Sequence, residues 1–152
     1  MRRLAQMKRF RRDLEAVPVR GNVDTRLKKL ESGEYDALLL AACGLKRLGL
    51  AARISETLEV AQFLPAPCQG ALAIEIRADR RDLAELLLGL EDAAARREVE
   101  AERSLLRALG GNCRVPLGAL ARVTDEKNMT LEGVVLSPDG LDRKSTRLNS
   151  SH

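Results

Sequence analysis

The residues of this chain with the chemistry to act are one cysteine and a set of arginines. Cys113 stands in "GGNCRVPLG", between the pair Gly110-Gly111 and Arg114. A thiol works as its thiolate, so its reactivity follows whatever lowers its pKa. Here the helix expected upstream ends at the glycines, and the negative end of its dipole disfavours a thiolate while Arg114 favours one. Read locally, a lone cysteine is a small buried hydrophobe. The two glycines also free the backbone and leave space beside the sulfur, which a bulky covalent attachment would need. Local residues leave both readings open.

The cations are unevenly spread. Arg2, Arg3, Lys8, Arg9, Arg11 and Arg12 crowd the first dozen residues, followed by Arg20, Arg26, Lys28 and Lys29. Such a cluster suits an anionic partner (nucleic acid, phosphate or a polycarboxylate) or is a solvated helix face. Arg20 falls at the end of an expected strand, Arg26 on the helix that follows, and Arg47 after a strand ending at Gly44. Open α/β sheets bind ligands beyond the carboxyl ends of their strands, and guanidinium forks hold carboxylates bidentately. Pairing with Glu31, Glu34 or Asp36 at the surface fits the same spacing.

The elements that position these groups change style along the chain. Leu4, Met7, Phe10 and Leu14 give residues 2–15 an amphipathic helical period, ended by Pro18. "VPVRGN" reads as a short strand and turn, and Asn22 as the N-cap of a helix that stops at Gly33. Residues 35–44, "YDALLLAACG", form an apolar run of buried-strand length, and "LKRLGL" opens another helix. Strand, helix, strand, helix implies a βαβ crossover. After the Pro- and Gly-bearing "FLPAPCQG", residues 71–77 read as a strand and 80–90 as a Leu-rich helix. A longer helix starts at Asp92, with Ala95, Val99, Leu106 and Leu109 on one face. Two hairpin strands follow, separated by "DEKN". The fold class expected is therefore α/β: part of a doubly wound βαβ domain, then a small α+β domain with an antiparallel sheet. "DRKSTRLNSSH", residues 142–152, shows neither period and is expected to be a disordered or non-native tail.

Composition excludes several function classes. The 152 residues are 45% hydrophobic but only 2% aromatic, so the core is aliphatic and stacking platforms for single-stranded nucleic acid are missing. Cys43, Cys68 and Cys113 are far apart and odd in number, which indicates neither a disulfide framework nor a zinc site. His152 is the only histidine, which argues against Ser-His, Cys-His and multi-histidine metal chemistry. No apolar run reaches the ~18 residues of a membrane span, and the basic start lacks a secretory apolar segment. A reducing cytosol or organelle interior is the expected compartment.

Three stretches, "VRGNVDTRLKKLESGEYDALLLAACGLKRLGL", "LPAPCQGALAIE" and "GGNCRVPLG", resemble consecutive signatures of the porphobilinogen deaminase (hydroxymethylbilane synthase) family, and the likeness covers about residues 2–140. The resemblance implies stepwise head-to-tail condensation of four porphobilinogen units, with loss of ammonia, onto a dipyrromethane cofactor in tetrapyrrole and haem biosynthesis. It implies that Cys113 holds that cofactor as a thioether. Arg2, Arg3, Arg20, Arg26 and Arg47 match arginines that bind the acetate and propionate groups of cofactor and growing chain, and Gln69 matches a residue lining the cleft. It also implies a monomer, in the cytoplasm or a plastid stroma, with porphobilinogen and the growing pyrrole chain as partners. Residues 1–62 correspond to part of the second domain, 63–78 to a segment returning to the first, and 79–141 to part of the C-terminal domain. Cys68 stands where many relatives have glycine. The rival is a small basic module that binds nucleic acid or another anion without catalysis.

The family's catalytic aspartate belongs to an N-terminal domain with no counterpart here. The purified 152-residue chain is therefore expected not to turn over porphobilinogen, since the acid–base step needs a positioned carboxylate. An assay for hydroxymethylbilane, read against a blank, checks this, and a rate above the blank would contradict it.

Overall fold

The computed structural model describes residues 2–110 and 116–151. In chain order, helices α1 (Arg2–Phe10), α2 (Val23–Glu31), α3 (Ala42–Arg47), α4 (Arg81–Leu87) and α5 (Ala93–Ala108) precede strands β1 (Leu117–Val123), β2 (Asn128–Leu136) and β3 (Arg143–Ser151). The strands form one antiparallel sheet in the order β1-β2-β3. This is the mixed helix-and-strand fold expected, with an antiparallel sheet at its C-terminal end.

The helix boundaries follow local chemistry. Asn22 Oδ1 accepts from the Thr25 N–H at 2.8 Å and from the Thr25 hydroxyl at 2.7 Å, which caps α2. The α2 chain leaves through Ser32 into Gly33, at φ +75°. Asp92 caps α5 by accepting from the Ala95 N–H at 2.9 Å, and Gly110 at φ +60° follows its end. Helix α1 is shorter than its period predicts. Phe10 and Leu14 are exposed, so no core rewards the last turn, and Arg11 folds back onto Asp13 instead.

The segments read as strands, 17–20, 35–44 and 71–77, join no ladder among the described residues, and α3 begins inside the second of them. Each has a strand composition but lacks a neighbour. Extended backbone becomes a strand only when its N–H and C=O groups pair. Leu72 and Ile74 are accordingly 75% and 59% exposed.

The hairpin does form. Asp125 accepts from the N–H groups of Lys127 and Asn128, each at 2.9 Å, and closes the turn that sets Val123 opposite Met129. The expectation of an unstructured tail is corrected here, because Arg143–Ser151 pairs with all of β2, from Leu136↔Arg143 to Asn128↔Ser151. Residues 143–149 are exposed and all but Leu148 are polar, so the pairing rests on the backbone ladder and on register contacts such as Arg147 with Glu132 at 3.4 Å. A strand that buries neither face leaves no period-2 pattern to read.

Helix α5 lies along β1. Three of the β1 amides that point away from β2 are taken. Ala119 donates to the Pro65 carbonyl at 3.1 Å, Ala121 to Glu102 Oε1 at 2.8 Å and Val123 to Glu98 Oε1 at 2.9 Å. Helix α1 closes the other side of the core, where Ala5, Leu64, Val134 and Leu136 are buried together against Leu120. Gln6, also buried, donates to the Leu64 carbonyl at 2.9 Å.

Gly140 permits this closure. It has φ +77°, and a Cβ placed there would lie 2.4 Å from the Ala5 carbonyl oxygen. Gly33 has a similar φ with nothing within 4 Å. Both strain and clash should therefore act on Gly140→Ala, but only strain on Gly33→Ala, where left-handed backbone costs a side chain about 1–2 kcal/mol. Urea unfolding should show Gly140→Ala as the more destabilised of the two by at least about 1 kcal/mol. Equal midpoints would contradict the close approach.

Candidate anion-binding site

Helix α1 opens with two cations and has no acidic residue in its first turn, the arrangement its dipole disfavours. Neither Arg2 nor Arg3 is free in solvent; both are half-buried. Burial, and then the neighbouring charge of Arg3, pulls the Arg2 pKa down to about 10. The Arg3 pKa is also lowered, chiefly by burial and then by Arg26, with the nearby Cys43 acting in the opposite sense. Three of the five arginines singled out by sequence thus converge from α1 and α2.

Their hydrogen bonds are few. Arg2 Nη2 donates to Gln69 Oε1 at 3.1 Å, and Arg3 Nη1 donates to the Leu39 carbonyl at 3.4 Å. Among the described residues none of the three forms an ion pair. The Nε atoms of Arg2 and Arg26 are buried without a hydrogen-bond partner. An unsatisfied buried donor costs about 1–3 kcal/mol, so two such donors on clustered guanidiniums point to an anion that completes them.

Arg20, in the extended segment before Gly21, and Arg47, the last residue of α3, are exposed. Among the described residues no hydrogen bond or ion pair ties either to the trio. Gln69 is brought in. It sits on the turn in which its own N–H donates to the Ala66 carbonyl at 3.1 Å, and its Oε1 accepts from both the Ala66 N–H and Arg2. Cys113 lies outside the described residues.

A cavity of about 330 Å³ opens beside this turn, between the start of α3, α5 and β1, with Cys43, Cys68, Gln69 and Glu102 in its wall. Cys68 has φ +62°, the left-handed backbone that favours glycine. Glu102 is the feature the sequence reading missed. It is 6% exposed and is the one buried residue of α5, whose apolar face was expected to run through Ala95, Val99, Leu106 and Leu109. Its Oε2 accepts from the Cys68 N–H and its Oε1 from the Ala121 N–H. The available signal was its position, three residues after Val99 and four before Leu106 on the apolar stripe.

Chemically the trio can hold carboxylates. Planar forks with unpaired N–H groups, half withdrawn from water, favour bidentate charge-assisted bonds. That donor set fits a pyrrole-based cofactor bearing several carboxylates.

Comparison with known proteins agrees. Residues 1–85 match the family model described as porphobilinogen deaminase, dipyromethane cofactor binding domain, and residues 96–151 match that of the porphobilinogen deaminase C-terminal domain. A porphobilinogen deaminase of Chromobacterium violaceum is 54% identical over 140 residues, which are 92% of this chain and 45% of the relative. That of Desulforudis audaxviator is 51% identical over 93% of this chain and 46% of the relative, and that of Brevibacillus brevis 48% identical over 92% and 45%. The chain thus spans slightly less than half the length of these relatives. With the half-buried, unpaired arginines of α1 and α2 lying inside the matched cofactor-binding region, the chain belongs to the porphobilinogen deaminase family.

Proposed function

We propose that this chain is the part of a hydroxymethylbilane synthase that holds the cofactor and the growing pyrrole chain. The observation that carries this is the pair of buried, unpaired Nε atoms in the Arg2–Arg3–Arg26 cluster. Every porphobilinogen ring carries an acetate and a propionate, so a chain of rings presents regularly spaced carboxylates. Arg2 and Arg26 offer their Nε–H groups to these, and Gln69 holds the Arg2 guanidinium through its Nη2. Arg20 and Arg47 extend the row of carboxylate partners. Cys113 holds the cofactor as a thioether. When bound, the dipyrromethane supplies the pyrrole carbon to which the first substrate unit is joined as ammonia leaves. On this reading the site works in the cytoplasm or, in a plant, the plastid stroma.

The nucleic-acid alternative gains no support from residues 2–29. Arg11 is paired with Asp13, whose carboxyl is held down to about 2 by the Arg11 hydrogen bond, and Lys29 is paired with Glu34. Arg2 and Arg3 are withdrawn from the surface that a polymer would track.

Two outcomes are expected. Titration calorimetry should show that the chain binds mellitate, a compact benzene hexacarboxylate, more tightly than single-stranded DNA. Arg26→Leu should weaken mellitate roughly tenfold, the loss of one charge-assisted contact. Tighter binding of DNA with a steep salt slope would overturn the reading. When the chain is co-expressed with the N-terminal portion of the Chromobacterium violaceum relative, mass spectrometry should find a dipyrromethane adduct on the Cys113 peptide, lost in Cys113→Ser. An adduct that survives this substitution would contradict the attachment.

A further inference from the structure

Glu102 is a buried acid with no cation beside it: among the described residues it forms no ion pair. Its charge is met by two backbone N–H groups from different parts of the chain, Cys68 on the 66–69 turn and Ala121 on β1. A buried carboxylate is costly unless its oxygens are hydrogen-bonded, so it holds both donors firmly in place. Each attachment leads to the site. The residue after Cys68 is Gln69, whose Oε1 orients Arg2. Helix α5, which carries Glu102, ends at Ala108, and β1 begins at Leu117. These two elements flank Cys113 in sequence.

We propose that Glu102 is a positioning residue: its carboxylate fixes the Gln69 turn, and through it Arg2, relative to the two elements that flank Cys113. This role rests on the arginines being a carboxylate clamp, as proposed above. Glu102 itself touches no ligand. Its effect reaches the clamp through the Cys68 amide and the Gln69 side chain. Glu98, one turn earlier, ties α5 to β1 through the Val123 N–H and, among the described residues, accepts no hydrogen bond from the 66–69 turn. It therefore shares the structural task of Glu102 without the positioning one.

Glu102→Gln keeps the size of the side chain but turns one acceptor into an N–H₂ donor facing a backbone N–H. Both Glu102→Gln and Glu98→Gln remove one negative charge from the chain. By Coulomb's law alone either change would tighten binding of an anion. Positioning predicts the opposite sign for Glu102→Gln only.

The test is calorimetric titration of the 152-residue chain with mellitate, at a temperature where circular dichroism shows each variant folded. Glu102→Gln should weaken binding about fivefold, the worth of roughly one backbone hydrogen bond, while Glu98→Gln leaves it unchanged or tighter. Equal or tighter binding by Glu102→Gln overturns the positioning role and leaves the clamp standing. No mellitate binding by the unsubstituted chain overturns the clamp and this role with it. If Glu102→Gln does not fold, amide exchange on the unsubstituted chain decides. By reciprocity of coupling, mellitate should slow exchange of the Cys68 amide, and an unchanged rate overturns the proposal.

Discussion

The structure depends on how the outer edge of β1 is satisfied. An edge strand presents a row of unpaired amides, and here three parts of the chain answer them: the Pro65 carbonyl and the carboxylates of Glu102 and Glu98. Because two of these come from α5, the helix is locked to the sheet in one register along its length. Because Pro65 lies just before the 66–69 turn, the same edge fixes the segment that leads to Gln69. Sheet, helix and turn thus form one framework, and the arginines of α1 rest against it through Gln6 and Gln69.

What was legible in the sequence were features with a local cause. Asn22 and Asp92 announced helix starts because their side chains cap within three residues, and the hairpin was readable because "DEKN" interrupts two period-2 runs. The strands expected at 35–44 and 71–77 were not recovered, since a ladder is a property of two segments and no partner is present among the described residues. Glu102 was hidden because an apolar-periodicity argument passes over charged residues. Strand β3 was hidden for the converse reason, since it is held by its backbone ladder and cross-strand contacts and not by a buried apolar face. The candidate site divides the same way. Arg2, Arg3, Arg26 and Gln69 are brought together, yet nothing in their spacing shows that two Nε atoms would be buried unpaired. The assignment of Cys113 came from family resemblance rather than from the local chemistry of its neighbours.

The proposed clamp and its surroundings violate several local rules together. Cations stand at a helix N-terminus, guanidiniums crowd one another in partial burial, and a cysteine occupies backbone better suited to glycine. Each is unfavourable for folding, and they cluster within one neighbourhood. Such concentration of local conflict is what a binding site looks like when the ligand supplies the missing partner.

The polar character of β3 has a colloidal consequence. With β1 closed by carboxylates and a carbonyl, any further strand from another molecule can add to this sheet only alongside β3. That edge presents Arg143, Lys144 and Arg147, so two copies approaching edge to edge bring like charges together before their backbones can pair. Screening by salt shortens the reach of this repulsion, so edge-to-edge joining of these sheets depends on the ionic strength of the medium.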